Sequence, residues 1–261
     1  MTAFIGDVHG QYDALSRLLR DAHLVDAHGH WAGGTEQLWF AGDFCDRGPD
    51  GVGVLDLVMR LQTEAAAVGG HVGAVLGNHD VVVLGVRRWG DLSSGLYGSF
   101  RAAWLANGGQ PHDLARLTPA HAHWLAALPA MALLGTTLLT HCDATFYNDY
   151  GATLPAINAG IAAALQSDEI EQWDALLERM SQRKAFWSGA QAEGGSSFLA
   201  EQFLAPFGAH RLVHGHTPIP LVRRVDPRAV TTAFVYANGR CANVDGGLYL
   251  GGPGFVYRQA D

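Results

Sequence analysis

The 261-residue sequence predicts an α/β fold, a β-sandwich core of two sheets packed face to face and flanked by helices. Three observations lead there. Short apolar runs alternate with amphipathic stretches through the first third of the chain, and a group of short strands separated by turn residues closes it. Between them, three strands run directly into polar turns, Gly6-Asp7, Gly42-Asp43 and Gly77-Asn78. Open α/β sheets place their sites at such strand ends.

The elements follow in order. Ala3–Ile5 forms a first strand, and residues 13–24 form a helix because Ala14, Leu15, Leu18, Leu19 and Ala22 recur at helical spacing, with Asp13 as its cap. Leu38–Ala41 is a second strand. Pro49 opens the next helix, whose buried stripe is Val54, Leu55, Val58 and Leu61. Val72–Leu76 is a third strand. The Ala-rich helical segments near 95–128 and 154–186 read as caps that shape a pocket within one domain spanning 1–261. Leu138–Thr140 and Leu212–Val213 are further strands, each running into a histidine, and 192–197 (AEGGSS) reads as a mobile loop. The tail reads as a meander of Phe234–Ala237, Cys241–Val244, Leu248–Leu250 and Phe255–Tyr257, with Asn238-Gly239 as a hairpin turn.

Composition excludes several functions. With 48% hydrophobic and 16% charged residues the chain can bury a substantial core. Lys and Arg number 17 against 25 Asp and Glu, a formal charge of −8, and no basic run exists to neutralise a nucleic-acid duplex. Cys45, Cys142 and Cys241 are widely spaced and odd in number, which argues against a disulfide framework and a zinc ribbon. No apolar run is long enough for a membrane span, and MTAFIGD lacks a leader pattern, so a cytoplasmic protein without a membrane partner is expected.

The strand-end residues are Asp7, His9, Asp43, Asp46, Asn78, His79, His141 and His216. All are oxygen or imidazole donors, the ligand type of mixed N/O sites for Mn, Fe or Zn. Such a set serves two ions if one carboxylate bridges them, at a separation of roughly 3.5 to 4 Å. Paired cations would supply a hydroxide at neutral pH and neutralise phosphoryl oxygens.

The motifs GDVHG (6–10), GDFCDRG (42–48), GNHD (77–80), the lone histidine of LTHCD (139–143) and GHT (215–217) resemble, in family order, the PPP phosphoprotein phosphatases of the calcineurin-like metallophosphoesterases. That resemblance implies the same sandwich flanked by helices. It implies that Asp7, His9 and Asp43 hold one metal, and that Asp43, Asn78, His141 and His216 hold the other. Two divalent ions, manganese first and iron or zinc as substitutes, are the implied cofactors. His79 would protonate the leaving oxygen, Asp46 would orient its imidazole, and Arg47 would clamp the phosphate, with Asn78 and His79 also at the substrate. The implied partner is a phosphorylated protein, a small phosphate ester or a nucleotide.

Three departures stand out. The third motif ends in Asp80, where phosphoprotein phosphatases usually have Glu, and GNHD with Arg47-Gly48-Pro49 resembles the symmetrical diadenosine tetraphosphatases. Those relatives usually lack the acid that Asp46 supplies. The stretch that normally carries a second phosphate-binding arginine has Gly194-Gly195, and no arginine lies between Arg183 and Arg211. His141 is followed by Cys142-Asp143 instead of two glycines. The leading expectation is a phosphoserine/phosphothreonine phosphatase; the alternatives are a dinucleoside polyphosphate hydrolase and a silent metal-binding module. His28, His30, His121 and His123 read as incidental, Cys45 and Cys142 as buried filler, and Trp89, Trp104, Trp124, Trp173 and Trp187 as core or pocket wall.

Overall fold

A computed structural model of the chain describes residues 1–95, 98–187 and 195–259. Its strands are β1 (Thr2–Ile5), β2 (Gln37–Phe40), β3 (His71–Ala74), β4 (Ser93–Ser94), β5 (Gly98–Ser99), β6 (Met131–Leu134), β7 (Thr137–Thr140), β8 (Arg211–His214), β9 (Phe234–Tyr236), β10 (Cys241–Asn243) and β11 (Tyr257–Gln259). Its α-helices are α1 (Tyr12–Asp21), α2 (Gly51–Ala67), α3 (Asn78–Trp89), α4 (Phe100–Ala106), α5 (Pro111–Arg116), α6 (Pro119–Ala126), α7 (Leu154–Gln166), α8 (Ile170–Met180), α9 (Gly195–Leu204) and α10 (Ile219–Arg223).

Two main sheets form the sandwich. One runs β11-β1-β2-β3, with β1, β2 and β3 parallel and β11 antiparallel to β1. The other runs β6-β7-β8-β10-β9, with β7, β8 and β10 parallel at its centre. Alternation along each strand divides the core. Phe4 of β1 faces Leu139 of β7, Val213 of β8 and Ala242 of β10 in the layer between the sheets, while Ala3, Ile5, Leu138, Leu212 and Cys241 turn outward to the helices. Strands covered on both faces are buried at every position, as β1 (TAFI) and β7 (TLLT) are, with apolar residues at their centres and a threonine opening each and closing β7.

Several boundaries differ from the sequence reading. Helix α1 starts at Tyr12 with Gln11 as N-cap, so Asp13 lies in its first turn and makes no cap. Pro49 precedes α2, whose N-terminus is held instead by Asp50 Oδ1, accepting from Gly53 N at 2.9 Å, and by Asp113 Oδ2, accepting from Gly51 N at 2.9 Å. The hairpin at Asn238-Gly239 forms as expected, but Leu248–Leu250 is a 3₁₀ turn. Gly247 and Gly251, both left-handed at φ 71° and 85°, bracket it and prevent extension. The tail is therefore no meander: β11 crosses to the first sheet and pairs Thr2 with Gln259. Residues 195–197 open α9, and the rest of the expected 192–197 loop lies outside the described residues. No helix among the described residues is long and apolar enough to cross a membrane.

Candidate dimetal site

The polar residues sit where the parallel strands end. Asp7 and His9 follow β1, Asp43 follows β2, Asn78 opens α3 after β3, and His141 and His216 follow β7 and β8. The loops approach one another closely enough to demand glycine. A Cβ on Gly77 would lie 2.2 Å from Asp43 Oδ1, and one on Gly215 would lie 2.2 Å from Asp7 Oδ1. His9, Asp43 and His216 adopt left-handed φ values of 48°, 55° and 66°. Each costs about 1 kcal/mol for a side chain with a Cβ, so surrounding bonds must hold it. Asp43 O accepts from His9 N at 2.8 Å, and Asp7 Oδ1 accepts from His216 N at 2.8 Å.

All six sequence-predicted donors converge. Asp43 Oδ2 lies 3.6 Å from His9 Nε2 on one side and 3.5 Å from His141 Nε2 on the other, the placement of a shared oxygen between two centres. Asp7 Oδ2 is 3.7 Å from His9 Nε2. On the second side, Asn78 Oδ1 lies 2.9 Å from both His141 Nε2 and His216 Nδ1, which are 3.1 Å apart. Their outer nitrogens face carbonyls: His141 Nδ1 donates to Ala41 O at 2.7 Å and His216 Nε2 to Ser181 O at 3.3 Å. In the neutral tautomers those bonds select, three lone pairs face one another with no proton among them. A cation satisfies that arrangement directly.

The electrostatics point the same way. Burial pushes the Asp7 carboxyl well above its usual range, reinforced by Asp245 and Asp43, and burial holds His9, His141 and His216 below theirs. Asp245, wholly buried, is raised to about 7 by burial, and its Oδ2 has no hydrogen-bond partner among the described residues. Crowded carboxylates and unprotonated imidazoles are both relieved by divalent cations, so the residues present fit a pair of metal ions.

Beside this cluster, His79 Nδ1 donates to Asp46 Oδ2 at 2.7 Å. Asp46 Oδ1 in turn accepts from Trp104 Nε1 at 2.6 Å, so α4 fixes the pair. Arg47 donates from one terminal nitrogen to His9 Nε2 at 2.7 Å and from the other to His79 Nε2 at 2.8 Å, with its guanidinium 4.4 Å from the Tyr249 ring centre. Asp43, Arg47, Asn78, His79 and His216 line one cavity of about 350 Å³, walled by Ala103 of α4 and Leu177 of α8.

Residues 2–222 match the model of the calcineurin-like phosphoesterases. The chain belongs to that family. Calcineurin-like phosphoesterases carry a dinuclear metal centre, which agrees with the donor set. This phosphoesterase is 32% identical over 78 residues to Shewanella-like protein phosphatase 2 of Arabidopsis thaliana, covering 30% of the chain and 20% of the relative. It is 35% identical over 106 residues to the symmetrical bis(5'-nucleosyl)-tetraphosphatase of Legionella pneumophila strain Corby, covering 41% of the chain and 33% of the relative. The matches thus span a third or less of those relatives' own length. In fold it is similar to the cold-active protein-tyrosine phosphatase of a psychrophilic Shewanella, with a TM-score of 0.72 at 23% identity over 98% of the chain and 73% of that structure. A protein serine/threonine phosphatase from Saccharomyces cerevisiae gives a TM-score of 0.54 at 16% identity over 93% and 65%.

Sequence reasoning missed four residues of the candidate site. Trp104 reads in the sequence as core or pocket wall; its ring is buried, and its N–H reaches Asp46. Arg183 and Tyr249 line the cavity although neither lies in a motif. Asp245 follows the expected strand Cys241–Val244 without the glycine-acid order of the other turns, and joins the cluster through the turn after β10. Asp80, by contrast, stays out of the cavity. Its carboxylate accepts from Gly77 N at 2.8 Å, Asp43 N at 3.0 Å and Phe44 N at 3.1 Å, stitching two of the loops together, so it carries no direct information about substrate. His121 is buried and bonds Asp56 and the α6 cap, a structural role.

Proposed function

We propose that this chain is a metal-dependent phosphomonoesterase acting on phosphoserine and phosphothreonine peptides, with small phosphate esters as further substrates. The observation that carries the reading is the Trp104–Asp46–His79 chain of hydrogen bonds, which delivers one imidazole edge to the cavity beside six converging donors. Asp7, His9 and Asp43 would hold one ion and Asp43, Asn78, His141 and His216 the other, with manganese the expected metal. Two such ions supply a hydroxide nucleophile and charge neutralisation for the phosphoryl group.

The chain's own residues do the rest. Asp46 keeps the His79 ring oriented through Nδ1, so that Nε2 can deliver a proton to the leaving oxygen. Arg47 must leave both imidazoles as phosphate enters, since His79 Nε2 cannot accept from the guanidinium and also hold that proton. The freed fork then matches two phosphoryl oxygens. Segments 95–128 and 154–186 act as caps over this site within one catalytic unit. Manganese-stimulated phosphate release from a phosphoserine peptide tests the reading, and failure to release phosphate from any monoester removes it.

A second reading is symmetrical cleavage of dinucleoside tetraphosphates. It draws on the likeness to the Legionella pneumophila tetraphosphatase and on the second cation, Arg183, at the cavity. Chromatography of products from diadenosine tetraphosphate decides it: two ADP support it and intact substrate excludes it.

A further inference from the structure

Two arginines line the cavity. Arg47 comes from the loop after β2, and Arg183 from the turn that follows α8. Arg183 is exposed to solvent and makes no ion pair with an acidic side chain among the described residues. An exposed guanidinium that lines the cavity and has no acidic partner among the described residues can take two oxygens of a phosphoryl group.

What fixes its direction lies immediately behind it. Asp143 is only 2% exposed, and each part of it is committed to the Arg183 turn or to the sheet. Its Oδ1 accepts from Lys184 N at 2.7 Å and its backbone carbonyl from Ala185 N at 3.0 Å. Its Oδ2 accepts from the Tyr236 hydroxyl at 2.7 Å, and that hydroxyl also faces His214 Nε2 at 2.8 Å. The turn is pinned on its other flank by His216 Nε2 donating to Ser181 O at 3.3 Å. Lys184 itself is left-handed, at φ 68°, a conformation that a lone exposed lysine would abandon without the bond at its N–H. One buried carboxylate thus anchors the residue next to Arg183 to strand β9 of the second sheet.

We propose that Arg183 is this chain's second phosphate-binding arginine and that Asp143 is the positioning residue that aims it at the cavity. The inference rests on the phosphoesterase reading above, and it accounts for two departures at once: the missing arginine near Gly194-Gly195, and the acid that follows His141-Cys142. Asp143 touches neither substrate nor metal in this scheme. It acts by holding the turn.

The test is calorimetric binding of inorganic phosphate to the manganese-loaded full chain, which requires no turnover. R183A should weaken phosphate binding by about 10- to 100-fold, the range of one charge-assisted pair of hydrogen bonds, with two manganese ions still bound. D143A should weaken it by about 10-fold, and adding D143A to R183A should cost less than about 2-fold more, because a positioning residue has nothing left to position. D143N keeps an acceptor for Lys184 N and should bind phosphate within about 3-fold of the wild type; Y236F, which frees Oδ2, should lie between D143N and D143A. Should D143A fail to fold, the Y236F and R183A pair carries the same non-additivity test. Phosphate affinity unchanged in R183A, or D143A and R183A effects that multiply, would overturn the proposal. A wild type that binds phosphate yet hydrolyses no monoester removes the functional reading alone. One that binds no phosphate removes both.

Discussion

Trp104 Nε1 donates to Asp46 Oδ1 at 2.6 Å, leaving the other oxygen of that buried carboxylate for His79 Nδ1 at 2.7 Å. Helix α4 therefore reaches the Asp46–His79 pair through one N–H. Trp104→Phe keeps an aromatic ring but removes that donor together with part of the fully buried indole. The turnover number should fall about 10-fold with KM little changed, as loss of an orienting partner implies. The stranded oxygen should also lower stability by about 1–3 kcal/mol. Steady-state kinetics and a thermal melt check both, and a rise in KM with unchanged turnover would assign Trp104 to the pocket wall alone.

His79→Ala should reduce turnover by about 10²- to 10⁴-fold, the usual worth of a general acid. Metal content should stay at two ions per chain, because His79 Nδ1 is committed to Asp46 and its Nε2 to Arg47. The same cluster also admits another role, since His79 lies with His9 and Asp43 in a group whose ligand atoms are within 4.8 Å of one another. Metal analysis of the variant separates the two: loss of an ion makes His79 a ligand.

The sandwich and the six donors were legible in the sequence because both rest on local rules. Glycine-acid turns after apolar strands mark strand ends whatever the rest of the chain does, and alternation in strands such as β1 and β8 follows from the pleat. What escaped depends on contacts distant in sequence. Helix α3 was hidden because Val81, Val82 and Val83 read as β-formers, and only the buried Asp80, accepting from Gly77 N, shows that a helix starts there. The 3₁₀ turn at Leu248–Leu250 has the apolar content of a strand, and its glycines decide against one. Arg183 was invisible for a plainer reason: nothing near it in sequence says that Asp143, forty-one positions from the neighbouring Lys184, pins its turn.

Asp43→Asn should abolish activity and reduce bound metal. Asp43 Oδ1 already accepts from His79 N at 2.8 Å, so the amide nitrogen must occupy the Oδ2 position, between His9 Nε2 and His141 Nε2. A neutral NH₂ group there presents protons to two imidazole lone pairs and offers no bridging charge. Fewer than two ions per chain after dialysis against excess manganese is the expected result. Full occupancy with undiminished phosphatase activity would contradict the bridging role.

A pH effect is expected far from the site, at Glu64 on α2. Its carboxylate accepts from Trp31 N at 2.8 Å and from Arg60 at 2.7 Å, with His30 Nδ1 at 2.8 Å, and it ties down the loop before β2. Partial burial pushes this carboxyl up, but the bonds from His30, Trp31 and Arg60 outweigh burial and bring it to about 2. A folded-state value below the unfolded one means that the stabilisation is complete above the ordinary range of a glutamate and drains away as pH falls toward about 2. Glu64→Gln should therefore be less stable than the wild type by about 1 kcal/mol near neutral pH, with the gap shrinking in acid. Urea midpoints of the two proteins, taken near neutrality and again at a pH below the unfolded glutamate's range, measure that gap. If it stays constant with pH, the carboxylate's charge contributes nothing to holding the loop, and shape alone accounts for the contact.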